Sequence, residues 1–229
     1  MSVSGVSTIR PIEPQDVVRA ASFVVDALAP AIGRDWSVRA GRLQWDVEKT
    51  IAHMAAATAK HVLYLASRST RFIAVGLDRW HDASQAEQLD AITGVAAAQA
   101  NVAASMPPEE RAYHGSGMPD AQGYVAMDCL DLLVHGHDVA SGLGITYEPP
   151  DDLCCVVSAR LLPWLDISAG AWQAMLRYTG RIGPPGDDSW TVLKEPLAEW
   201  DGKVPVQDPR PVVEWVRESD KWRPRYRDE

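Results

Sequence analysis

The chain has 229 residues, enough for one large domain or one domain with an appendage, and its apolar content of 46% supports a sizeable core. A net charge of −9 and a pI near 5.1 leave no basic stripe to meet phosphates, which argues against nucleic acid and against anionic membrane surfaces. No apolar run approaches a membrane span and the N-terminus carries no secretory pattern, so the expected location is cytoplasmic.

Ile12-Glu-Pro-Gln-Asp opens a first helix, with Pro14 suited to the first turn and Asp16 to the helix dipole. Val17, Val18, Ala21, Val24, Val25 and Leu28 form its apolar face, and it stops by Pro30. A loop with Trp36 and Trp45 follows. Asp46 caps a second helix, on which Val47, Ile51, Met54, Thr58, Val62 and Leu65 share one stripe. His53 lies about 140° from the centre of that stripe, so periodicity alone does not turn it inward. His61 sits nearer the stripe and reads as a core-edge histidine with a hydrogen-bond partner.

Ser84-Gln-Ala-Glu87 is a capping box for a third helix, with Leu89, Ile92, Ala96, Ala103 and Met106 on its face. Gly94 and many alanines make this helix slim, which suits close neighbours. It ends before Pro107-Pro108. A fourth helix begins between Asp120 and Tyr124, runs to Ser141 and closes at Gly142. Pro149-Pro150-Asp-Asp opens a fifth helix through Leu162, and a sixth runs from about Ala169 to Thr179. Past Pro184-Pro185-Gly186, short strands are expected at 190–193 and 197–200, and a last helix from Asp208 to Trp215. Trp190 and Trp200 are the expected anchors of this segment as a cover on the bundle. The three cysteines, Cys129, Cys154 and Cys155, form no CxxC pattern and read as buried small hydrophobes.

The fourth helix holds the chemistry. Asp128, Asp131, His135 and Asp138 fall at i, i+3, i+7 and i+10, inside one narrow sector bordered by aliphatics. Asp131 and His135 meet over one turn, a spacing that lets a carboxylate and an imidazole share a divalent ion. The stripe reads equally as a solvated face of surface pairs. Asp128 is expected to face water, and Asp138 is either an outer partner of His135 or His137, or a plain surface aspartate.

Several stretches together resemble a known family. They are the loop with Asp35-Trp36 and Trp45, Ile51-Ala-His53-Met54, and Asp131-Leu-Leu-Val-His135-Gly-His-Asp138 running into Val-Ala-Ser-Gly-Leu-Gly144. Thr179-Gly180-Arg181 adds a C-terminal tripeptide. The chain resembles the DinB-like superfamily of four-helix-bundle metalloproteins, of the mycothiol-dependent maleylpyruvate isomerase type. The likeness runs over 12–182, most closely at 35–54 and 124–144, and thins after 185.

The resemblance implies a mainly α fold: a DinB-like four-helix bundle over 12–145, then C-terminal helices and a small α+β appendage over 146–229. It implies His53, Asp131 and His135 as metal ligands, for zinc or nickel. Asp138 and Arg181 are further candidates for the catalytic site, Arg181 as an anchor for an anionic substrate or as a structural ion pair. Asp131 stands where the isomerase type has glutamate, one methylene longer.

The implied function is a metal-dependent thiol S-transferase or thiol-dependent isomerase acting through a low-molecular-weight thiol such as mycothiol. The alternatives are a non-catalytic metal- or ligand-binding stress protein and a metal-dependent hydrolase. Expected partners are a small-molecule substrate and the thiol, with a homodimer as the candidate assembly.

Overall fold

The computed structural model describes residues 9–73, 80–114 and 119–183. The expected strands, last helix and tryptophan cover after Pro184 lie outside these residues. The described residues include six α-helices: α1 Gln15–Leu28, α2 Val47–Ser67, α3 Gln85–Ser105, α4 Ala121–Leu143, α5 Asp151–Leu161 and α6 Ala171–Tyr178. Among the described residues there is no strand, and Arg39 and Asp46 form an isolated antiparallel bridge. The described part is thus mainly helical, and among the described residues no helix is long and apolar enough to cross a membrane.

Three of the long helices start at side-chain caps. Asp46 accepts a hydrogen bond from the Lys49 backbone at α2, and Asp120 accepts from Gly123 at α4. At α3 the capping box is complete, with Ser84 and Glu87 each satisfying the other's backbone N–H. Asp16 does more than oppose the dipole of α1. It is buried and held by Arg10 at 2.6 Å and Arg19 at 3.1 Å.

Two glycines of α4 differ from the expectation. The helix does not close at Gly142 but runs two residues beyond the expected Ser141, to Leu143, and Gly144 makes the left-handed cap at φ +66°. Gly142 sits inside the helix because the Arg39 carbonyl passes directly over it, leaving no space for a Cβ. Gly94, by contrast, faces open space on α3, and the close approach there belongs to Ala96, Ala100 and Ala103, all buried.

The four long helices pack in the cyclic order α1, α3, α2, α4. Gln88 reaches Glu48 at 3.4 Å and His81 reaches it at 3.1 Å, so α3 starts beside the start of α2 and runs parallel to it. Gly33, just past α1, donates to Gln85, and Arg34 donates to the Leu143 carbonyl at the end of α4. Hence α1 and α4 run one way, α2 and α3 the other. One hydrophobic cluster, from Val17 and Ile51 through Leu133 to Leu153 and Met175, extends through α5 and α6. A smaller cluster of Tyr64, Leu65, Ala112 and Tyr124 fills the far end of the α2–α4 seam.

Candidate metal centre

The seam between antiparallel α2 and α4 brings the polar stripe of α4 against α2. On α2 the buried face drifts at its C-terminal end to His61, Tyr64 and Leu65, while Val62 is only half-buried. His53 lies on the flank of that face and points across the seam rather than into the apolar centre. The angular offset read from the sequence is the offset between the neighbour that packs α2 on its apolar side and the neighbour that meets it on its polar side.

There His53 Nε2 stands 3.6 Å from one oxygen of Asp131, and His135 Nε2 stands 3.4 Å from the other. The two imidazoles meet edge to face at 5.1 Å between ring centroids. One ligand atom from each of His53, Asp131 and His135 falls within 4.8 Å of the others. The Trp45 ring backs His53 at 5.2 Å, and Lys49 caps the indole at 5.1 Å. Trp45 is the part of this wall that the sequence offered only as a tryptophan in a loop.

His135 is fully buried, and its Nδ1 is 3.1 Å from Asp138. With Asp138 accepting from Nδ1–H, the Nε2 lone pair is the one turned toward Asp131 and His53. Asp138 is buried, not at the surface, and it orients His135 rather than His137. Arg181 fixes Asp138 in turn at 2.8 Å, while its remaining amino group donates to the Thr179 carbonyl. Gly180, at φ +72°, makes the turn that sends Arg181 back from the end of α6 to α4. The buried guanidinium is therefore an ion-pair partner of Asp138, and the tripeptide Thr179-Gly180-Arg181 has a positioning role.

The electrostatics follow this geometry. Burial raises the Asp131 carboxyl, but the two histidines outweigh it and hold it well below the usual range. Burial lowers His135, yet the charge of Asp131 and the hydrogen bonds of Asp131 and Asp138 bring it above the usual histidine value. Asp138 is lowered, since His135 and Arg181 overcome its burial. His137 faces away, between Tyr147 at 6.2 Å and Trp172 at 5.7 Å, and burial lowers it. Gly136 lets Tyr147 lie across α4 beside His135, because any Cβ there would meet the phenol.

Asp128 does not face water. It is fully buried, with Oδ1 at 2.6 Å from Nδ1 of His61, and burial raises its carboxyl. The partner expected for His61 is thus a residue of the same α4 stripe. An antiparallel register that pairs 53 with 131 and 135 also brings 61 toward 128, a signal the sequence contained. Of the cysteines, Cys129 and Cys154 are buried but Cys155 is half-exposed.

The donor set fits a divalent ion. A tetrahedral zinc with bonds of about 2.1 Å has ligand-to-ligand edges of about 3.4 Å. His53 and His135 face different oxygens of Asp131, at 3.6 and 3.4 Å, so the carboxylate already stands between the two imidazoles. The three ligand atoms lie within 4.8 Å of one another, wider than such edges, so they would close in around an ion. The buried Oδ2 of Asp131 also lacks a hydrogen-bond partner. No protein-family model, curated protein or solved structure matches the chain.

Proposed function

We propose that the protein is a metal-dependent thiol S-transferase or thiol-dependent isomerase of the DinB-like kind, with its divalent ion held by His53, Asp131 and His135. The observation that carries this reading is the convergence of two imidazole nitrogens and one carboxylate within 4.8 Å at the α2–α4 seam. Two imidazoles and one carboxylate suit zinc, or nickel, and leave a fourth coordination position for a reactant. The chemistry an ion held by His53, Asp131 and His135 would supply is a lowered pKa for a bound thiol, such as mycothiol, with thiolate available at neutral pH.

The chain's own residues supply the rest. Asp138 holds the proton on His135 Nδ1, and Arg181 keeps Asp138 ionised and in place. Trp45 backs the His53 ring, and Lys49 covers the indole. His53 and Asp131, with 27% and 19% of their side chains exposed against none for His135, mark the open side of the site.

The test is zinc-dependent consumption of thiols with monochlorobimane or with an isomerisable maleyl-type acid. Activity that requires zinc and disappears in His53→Ala supports the reading. A zinc-loaded wild type no faster than His53→Ala across a panel of thiols would leave a site that holds an ion without using it.

A further inference from the structure

Further along the same seam lies a second histidine–carboxylate pair. His61 Nδ1 is 2.6 Å from Oδ1 of Asp128, and among the described residues no second hydrogen bond engages the ring. Asp128 is fully buried, while His61 keeps 8% exposure. Tyr124 and His114 flank the imidazole at 5.1 and 5.2 Å. The pair has the form of a base oriented by a carboxylate: one nitrogen is fixed as a donor and the other is left to exchange a proton.

One nearby group indicates that the layer is built to receive something: both amide atoms of Gln99 are buried without a hydrogen bond. Gln99 is eleven residues beyond Gln88 on α3, three turns plus about 20°, so it shares the azimuth that brings Gln88 to Glu48 of α2. Because α2 and α3 are parallel, Gln99 comes level with residue 59, between Thr58 and His61. A polar layer therefore crosses from α3 through α2 to α4. It adjoins the metal centre, with Asp128 only about 4.5 Å along α4 from Asp131 and His61 about 12 Å along α2 from His53.

Resting on the function proposed above, we infer that His61 and Asp128 form the acid–base pair for the second reactant, a conjugated carbonyl electrophile, while the thiol occupies the metal end of the seam. The thiolate sulfur bonds to the β carbon, and the π electron pair moves toward the carbonyl to give an enolate. The His61 imidazolium then delivers its Nε2 proton to the α carbon and ends neutral, with Nδ1–H still on Asp128. His61 regains the proton that the thiol lost. One thiol has added across one double bond, and nothing is oxidised or reduced. The titratable groups around His61 are Asp128 and Tyr124 on α4, His114 on the connection before it, and Asp131 one turn along.

Chloride displacement from monochlorobimane needs no such proton, whereas addition to ethacrynic acid does. His61→Gln is therefore expected to lower addition to ethacrynic acid about 100-fold, and displacement from monochlorobimane by several-fold at most. An equal loss on both substrates, or no loss on either, would overturn the inference while leaving the metal-centred reading in place.

A second measurement requires neither metal nor turnover. Diethyl pyrocarbonate mapping of the metal-free protein is expected to find His61 carbethoxylated, and about tenfold more slowly in Asp128→Asn. A His61 that stays unmodified would overturn the pair as a base. A modified His61 in a protein that transfers no thiol would instead count against the thiol chemistry alone.

Discussion

At Asp131 two histidines meet one carboxylate, and the chemistry of the site depends on which protons they carry. Both Nε2 atoms must be free of protons to ligate, so metal affinity falls as pH drops. Asp131 and Asp138 raise His135 above the ordinary histidine value in the metal-free protein. Proton competition therefore starts at a higher pH than for an isolated imidazole. The expected result is zinc affinity that weakens on acidification from above the usual histidine range, measured by competition with a chromophoric chelator. Asp138→Asn should shift that onset downward, because it removes the partner on Nδ1. It should also cost about 10- to 100-fold in affinity, the usual loss when an outer partner of a ligand is removed.

The bundle's elements carry their own tests. Gly94 faces open space in a helical conformation, so Gly94→Ala should stabilise the protein by about 0.5–1 kcal/mol, read as a raised midpoint in urea. Gly142→Ala forces α4 away from the Arg39 carbonyl and should cost about 1–3 kcal/mol or more. Asp16 has a lowered pKa, since its burial is outweighed by the hydrogen bonds from Arg10, Arg19 and the Glu13 backbone. A depressed carboxylate adds stability above its unfolded value and loses it as pH falls through the folded value. The difference in melting temperature between wild type and Asp16→Asn should therefore be largest near neutrality and shrink on acidification below the ordinary aspartate range.

The caps, the six helices of the described residues and most of the apolar stripes were legible in the sequence because they depend on near neighbours: Asp46, Ser84 with Glu87, and Asp120. The roles of the two α4 glycines were not, since Gly142 answers to a carbonyl from a loop a hundred residues earlier. Asp128 was misjudged for a related reason, and the inward turn of His53 came from the family resemblance and not from periodicity. Amphipathic periodicity marks one buried face, while a helix in a bundle meets two neighbours, and the second contact here is polar.

On the scale of the whole molecule, the antiparallel α2–α4 seam concentrates charge inside a protein otherwise built on apolar packing. Asp128, His135 and Asp138 are all buried, a placement that costs stability unless each group is paired. Arg181 offsets part of this from the far end of α6, linking the C-terminal helices to the site. A bound ion would add to folding stability by linkage, about 2.7 kcal/mol at a free concentration 100 times the dissociation constant. The melting temperature of the metal-free protein should rise with added zinc, and that rise should vanish in His135→Ala.

The most direct test of the metal centre is calorimetric zinc titration of the metal-stripped protein alongside His53→Ala and His135→Ala. The expected result is one ion per chain, with each variant losing more than the roughly 10- to 100-fold that an outer partner contributes. A wild-type chain that binds zinc no more tightly than His135→Ala would contradict the assignment of His53, Asp131 and His135 as ligands.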